Sequence, residues 1–171
     1  MFVHVRGAAN IVLMIVVMGV NGNRLRSLLA EQRQRIVNLQ QDTEQMRKLF
    51  ACRLTEKALS LGHRVCLFAG SEAIASEIDA LLWSFSSTSF IPHSIVAANG
   101  TSAEDVSIAV STLPRDATDV VINLTSDALD NVEGIARVNE IIIQEPEALE
   151  QARARYRHYQ QAGVKPEMIK L

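Results

Sequence analysis

The sequence predicts an α/β domain of the Rossmann-like, three-layer kind with a mostly parallel sheet. Two observations carry that reading. Apolar runs such as Arg64-Val65-Cys66-Leu67-Phe68-Ala69 and Val120-Val121-Ile122-Asn123-Leu124 lack strict alternation, as expected of strands covered on both faces. Strand-like runs also alternate with segments whose apolar residues recur at helical spacing, the pattern of βαβ units. No internal repeat is visible, which excludes a solenoid or propeller.

The totals bound the function. A chain of 171 residues suits one domain with a real core, and its 48% hydrophobic and 21% charged residues are ordinary globular usage. A formal net charge of −2 argues against a broad basic surface for nucleic acid, so DNA is expected to be met only indirectly. Cys52 and Cys66 form no CxxC or metal-ligand spacing, and His4, His63, His93 and His158 are scattered. The expectation is a reduced cytoplasmic protein with no metal and no cofactor.

Taken in order, the chain divides into an N-terminal extension, residues 1–34, and an α/β domain, residues 35–171. Residues 8–20 are strongly apolar but fall short of the ~20 needed to span a bilayer. Three readings stand for that stretch: a buried element packed on the domain, a weak membrane leader, or translated upstream sequence. It is taken as an accessory extension. A short polar helix is expected over 24–33, with Leu25, Leu28 and Leu29 on one side.

Ile36-Val37-Asn38-Leu39 is the candidate first strand. Asp42 or Thr43 suits the cap of a helix from about Glu44 to Ser60, whose core face is Met46, Leu49, Phe50, Leu54 and Ala58 and whose stop is Gly62. After the strand at Val65, Gly70 turns the chain and Ser71 caps a helix ending near Trp83. A hydroxyl-rich loop follows to His93. Val106 to Val110 alternates and reads as a strand with one wetter face. Beyond the strand at Val120, a helix is expected around Ala128 to Ile135, then a last strand over Val138 to Ile143.

The chain then enters its clearest helix. Pro146 suits the first helical position, Glu145, Glu147 and Glu150 favour the positive end of the dipole, and Gly163 is a ready stop. Leu149, Ala152, Tyr156 and Tyr159 share one face. Arg153 and Arg157 are four apart, and like charges at that spacing cost a few tenths of a kcal/mol. Two readings compete here: a solvated basic face, or a seat for a carboxylate-bearing partner.

Enzyme chemistry finds no support. Gly70-Ser71 stands where a phosphate-binding turn would, but neither G-x-G-x-x-G nor G-x-x-x-x-G-K-[ST] occurs. Asp119 and Asp127 flank a strand without a neighbouring base or nucleophile and read as turn and cap residues. Trp83, the single tryptophan, and the loop Phe90-Ile91-Pro92 suit either a local core or anchors for a partner.

Several of these stretches, in this order, resemble one family. Leu49-Phe50-Ala51-Cys52-Arg53-Leu54-Thr55-Glu56-Lys57-Ala58, Gly62-His63-Arg64-Val65, Leu81-Leu82-Trp83-Ser84-Phe85, Ser89-Phe90-Ile91-Pro92-His93, Asp119 to Leu124, the Arg153-x-Arg155-Tyr156-Arg157-x-Tyr159 helix and the closing Lys170-Leu171 are similar to the chi subunit of bacterial DNA polymerase III holoenzyme. The resemblance covers about Arg35 to Leu171 and has no counterpart for residues 1–34. It implies a non-catalytic replication adaptor. Two partners come with it: the psi subunit of the clamp-loader complex, and the acidic C-terminal tail of single-stranded DNA-binding protein. It places Arg153, Tyr156 and Arg157 at the tail, with Trp83 close by and Ile142 and Ile143 lining the pocket. It places Phe90, Ile91, Pro92 and His93 at psi. The alternatives are a nucleotide-binding Rossmann-type enzyme without its usual glycines, and a membrane-tethered interaction module resting on residues 8–20.

Overall fold

The structure, a computed structural model, describes residues 14–19, 43–96, 100–114, 118–130, 132, 134–143 and 145–170. The elements are β1 (Met14–Gly19), α1 (Thr43–Ser60), β2 (Val65–Phe68), α2 (Glu72–Ser84), β3 (His93–Val96), β4 (Val106–Ala109), β5 (Val120–Asn123), β6 (Arg137–Ile142), α3 (Pro146–Gln161) and β7 (Glu167–Lys170). The sheet has seven strands in the order β3-β4-β2-β5-β6-β1-β7. The first five in that order pair in parallel, and β1 is antiparallel to both β6 and β7. The expected α/β class with a mostly parallel sheet is what the chain adopts.

The apolar runs divide between the two faces because successive strand residues point opposite ways. Val65 and Leu67 of β2, with Val120 and Ile122 of β5, meet Phe50, Leu54, Ala75, Ile78 and Leu82 from α1 and α2. Cys66 and Val121 point to the other face, where they meet Val138 and Tyr159 of α3. Thus α1 and α2 cover one side and α3 the other, a three-layer arrangement. Lys48 of α1 pairs with Glu77 of α2 across the first layer. Ser71 caps α2, its Oγ accepting the Ile74 N–H at 3.3 Å. Pro146 opens α3, and Gly62 and Gly163 turn the chain in the left-handed region after α1 and α3.

The structure corrects the sequence reading in several places. Part of the apolar run read as an accessory extension is β1, an interior strand, so the sheet draws on residues ahead of position 35. The strand expected at Ile36–Leu39 and the helix expected over 24–33 lie outside the described residues. The described residues around Ala128–Ile135 form no helix, because backbone groups there and just before are engaged by side chains from elsewhere: Ser126 O, Asp127 O and the Leu129 N–H all bond side chains of other elements. Strand β4 has no wet face; it lies between β3 and β2, and even Ser107 is buried. Two short strands, β3 and β7, join the sheet where the sequence carries no clear strand signal.

Candidate functional site

Helix α3 is fixed to the sheet by a buried polar network. Glu140 of β6 is its hub. Arg155 Nε donates to Glu140 Oε2 at 2.7 Å, and its Nη1 donates to the Ser126 carbonyl at 2.8 Å. The Tyr159 hydroxyl donates to Glu140 Oε1 at 2.8 Å and accepts the Leu129 N–H at 3.0 Å. Asn123 Nδ2 donates to the same Glu140 oxygen at 3.1 Å and to the Asp127 carbonyl at 2.9 Å. Burial and the adjacent Glu140 carboxylate push the Tyr159 phenol well above its ordinary value. Arg155 is only 6% exposed and Glu140 2%, so each charge depends on the other for solvation.

The network splits a run of three arginines. Arg155 is consumed by the fold. Arg153 and Arg157 are exposed, and neither makes an ion pair or side-chain hydrogen bond among the described residues. Tyr156 is half-buried between them in sequence, on the side of α3 that carries Leu149. Of the four residues that share one face, Ala152 and Tyr159 are buried and hold the helix on the sheet. The sequence reading missed Arg155, Glu140 and Asn123. A signal was there: Arg155 shares a helix face with Ala152 and Tyr159, and Glu140 is a charge within an apolar strand.

Ile142 and Ile143 border a cleft of about 100 Å³, together with Arg47, Thr125, Ser126, Gln151 and Arg155. They offer it little side-chain surface. Both are 2% exposed: Ile142 packs under Ala152 and Leu149, whereas Ile143 faces the α1–α2 core. The cleft lies on the Arg155 flank of α3, away from Arg153. Arg47 there donates to the Ile141 carbonyl at 2.9 Å and pairs with Glu44 at 3.4 Å. Burial draws its pKa below the usual arginine value, against the opposing pull of Glu44.

Trp83 does not join the arginines. It stands on α2, in the layer on the other side of the sheet, with its ring centroid 5.5 Å from Phe90 and 4.8 Å from His93. Trp83 is 53% exposed and Phe90 72%. The His93 side chain is fully covered, with Nδ1 2.7 Å from the Ile91 carbonyl and Nε2 3.2 Å from Asp79 Oδ1. Ile91 is in the core. The end of α2 and the loop after it therefore present Trp83, Phe90 and Pro92, with Ile91 and His93 as their support.

The turn after β2 requires its glycine. Gly70 has φ +75°, and a Cβ on it would stand 2.6 Å from the Thr125 methyl. Asp119 acts as a turn residue, accepting the Arg64 N–H at 2.8 Å. Both cysteines are buried. Among the described residues no cluster of His, Cys, Asp and Glu is placed to hold a metal, and no helix is long and apolar enough to cross a membrane.

An α/β domain without a phosphate-binding glycine motif, with an exposed arginine pair on one layer and an exposed aromatic pair on the other, has the character of an accessory protein. The comparisons give that class a particular member. Residues 30–167 match the family described as DNA polymerase III chi subunit, HolC. A protein named DNA polymerase III subunit chi, from Pseudomonas aeruginosa, is 39% identical over 113 residues, which are 66% of this chain and 78% of that protein. The chain belongs to the DNA polymerase III chi subunit family, whose members are accessory, non-catalytic subunits in DNA replication. Strand β1 lies ahead of the matched residues.

Proposed function

We propose that this chain is a replication adaptor that binds the acidic C-terminal tail of single-stranded DNA-binding protein through α3 and the psi subunit of the clamp-loader complex through the Trp83–Phe90 surface. The observation that carries the tail reading is the pair of exposed guanidiniums of Arg153 and Arg157, without an ion-pair partner among the described residues, beside half-buried Tyr156. A rigid helix holds them, so little order is lost on binding. Charge-assisted hydrogen bonds to carboxylates contribute about 1.5–3 kcal/mol each. Arg155, spent on Glu140, is not part of this receptor.

The psi reading rests on a separate surface. Trp83 and Phe90 are large, exposed and in tilted ring contact, which is the composition of an interface anchor. Pro92 stiffens the loop that carries Phe90. The two surfaces lie on opposite layers of the sheet, so both partners can be held together, as bridging demands.

A fluorescence-anisotropy titration with a labelled acidic peptide tests the tail site. Binding is expected at micromolar strength, weakening as salt rises. Arg153→Ala should weaken it at least tenfold, equivalent to about 1.4 kcal/mol. Equal binding by Arg153→Ala and the parent would sink the assignment.

A further inference from the structure

We infer that the cleft between the first turns of α1 and α3 binds a small tetrahedral oxyanion of the phosphate class, with Arg47 and Arg155 as its two cationic ligands. The site is independent of the tail and psi readings, since neither Arg153 nor Trp83 borders that cleft.

Topology puts the cleft where this architecture takes ligands. It opens past the carboxyl ends of two parallel strands, with Thr125 and Ser126 following β5 and Ile142 and Ile143 at the end of β6. Beyond β6 the sheet changes from parallel to antiparallel, at β1. Open α/β sheets bind ligands outside the carboxyl ends of their strands. Arg47 reaches the cleft from α1, in one layer, and Arg155 from α3, in the other. The space, about 100 Å³, has room for several waters and so for an ion of phosphate's size. It is well below the roughly 300–1,000 Å³ of a cofactor pocket, so a whole nucleotide does not fit.

The two guanidiniums are only partly used by the fold. Arg155 Nε serves Glu140 and its Nη1 serves the Ser126 carbonyl, but Nη2 makes no hydrogen bond among the described residues. Nor is that nitrogen sealed off: among the described residues, the one fully enclosed side-chain atom without a partner is Asn139 Oδ1. Arg155 is 6% exposed and borders the cleft, so the cleft is the way to Nη2. Arg47 repeats the pattern. Its Nε is taken by the Ile141 carbonyl, its Nη1 reaches the Glu44 oxygens only at 3.4 and 3.5 Å, and its Nη2 has no partner among the described residues. Burial is the main cause that draws the Arg47 pKa down, Glu44 opposes it, and the Arg155 charge adds to the lowering. The two cations therefore feel each other in a poorly solvated place.

The nearby carboxylates leave that demand unmet. Glu140 is already shared among Arg155, Tyr159 and Asn123. The Glu44 side chain is 45% exposed and holds Arg47 at the long edge of hydrogen-bond range, which makes it a weak internal competitor. The exposed Ser126 hydroxyl, without a hydrogen bond among the described residues, adds a donor at the rim. A tetrahedral oxyanion offers oxygens to both guanidinium forks at once, the geometry in which arginine binds most strongly. So placed, it ties α1 to α3 across the end of the sheet.

The test is thermal unfolding of the full chain in about 50 mM sodium phosphate against sodium chloride of equal ionic strength. With a dissociation constant of about 1 mM, phosphate should raise the parent's Tm by about 5 °C. Phosphate also stabilises proteins generally, by exclusion from their surface, and that part is common to every variant. Arg47→Gln should keep only the common part, Arg153→Ala should gain as the parent does, and Glu44→Gln, relieved of the competitor, should gain more. Glycerol phosphate in place of the free ion separates two sources of the group. An equal gain supports a phosphate carried on a larger molecule, and a gain from inorganic phosphate alone supports the free ion. Should Arg47→Gln melt too early to scan, broadening of the phosphorus NMR line at low temperature makes the same comparison on the folded chain. If Arg47→Gln responds to phosphate as fully as the parent, the ion acts elsewhere and the assignment is overturned. It is overturned equally if Arg153→Ala loses the gain, or if Glu44→Gln gains less than the parent.

Discussion

The Glu140–Arg155 pair supplies the sharpest test of how α3 is held. Consider Arg155→Met, which keeps most of the side-chain volume and removes the charge. The Glu140 carboxylate, 2% exposed, loses its 2.7 Å ion pair and keeps only hydrogen bonds from Tyr159 and Asn123. The Ser126 carbonyl loses its donor as well. Removing one partner of a buried pair costs about 3–5 kcal/mol, a large share of the roughly 5–15 kcal/mol of a typical domain. In the double variant Glu140→Gln with Arg155→Met no buried charge is left. The side-chain amide oxygen introduced by Glu140→Gln can still accept from Tyr159 and Asn123, so the expected loss is about 2–3 kcal/mol, for the Ser126 carbonyl and the two unmet N–H groups of the amide. The double variant should thus be more stable than the Arg155→Met single. Urea unfolding with a common slope measures all of these. A cost below about 1 kcal/mol for Arg155→Met, or a double variant whose loss equals the sum of the singles, would show that the pair is not buried as described.

Two further outcomes follow from the core and the β2 turn. Burial pushes the Cys52 thiol up to about 12 and the Cys66 thiol up to about 11, against an ordinary value of 9.0. A raised folded-state pKa means the stabilisation is intact below pH 9 and is lost as pH rises through the folded values. Each thiol should remove about 2 kcal/mol by pH 10.5 through ionisation in the unfolded chain, and a Cys52→Ala/Cys66→Ala variant should show a flatter alkaline limb in urea titrations from pH 8 to 10.5. A parent and variant with parallel pH profiles would contradict this. Gly70→Ala should cost about 2 kcal/mol or more, from the left-handed backbone and the Thr125 methyl together. Adding Thr125→Ser removes the methyl and should recover part of the loss in thermal unfolding; no recovery would place the cost in the backbone alone.

Local rules reached the elements whose partners are near in sequence or whose ends are marked. Ser71, Gly62, Pro146 and Gly163 delimit helices by their own backbone chemistry, and β2 and β5 are apolar because both their faces are covered. What stayed illegible depends on distant neighbours. The run containing β1 reads as an accessory extension, because its pairing partners lie at the other end of the chain. Strand β4 looks amphipathic only because Ser107 interrupts it. Arg155 has the same composition as Arg153 and Arg157, and only the placement of Glu140 beneath it separates a structural arginine from two exposed ones. Trp83 and the α3 arginines, both suited to interfaces, read as one site in the sequence; the sheet between their layers divides them.

Strand β1 also sets the order of assembly. It pairs with residues 137–142 and 167–170, so the start of the chain is completed only by its end. These are the pairings of greatest sequence separation, and such contacts slow folding because their loops must close before they repay it. A nascent chain carries the Met14–Gly19 segment unpaired until β6 has been made, and β7 finds no neighbour until β1 has docked. The five parallel strands with α1 and α2 can condense first, leaving the half of the sheet under α3 as the late, slow step. An apolar segment waiting that long is an aggregation hazard. Refolding yield should therefore be governed by this edge of the molecule, and a strand peptide of residues 14–19 added in excess would compete for it.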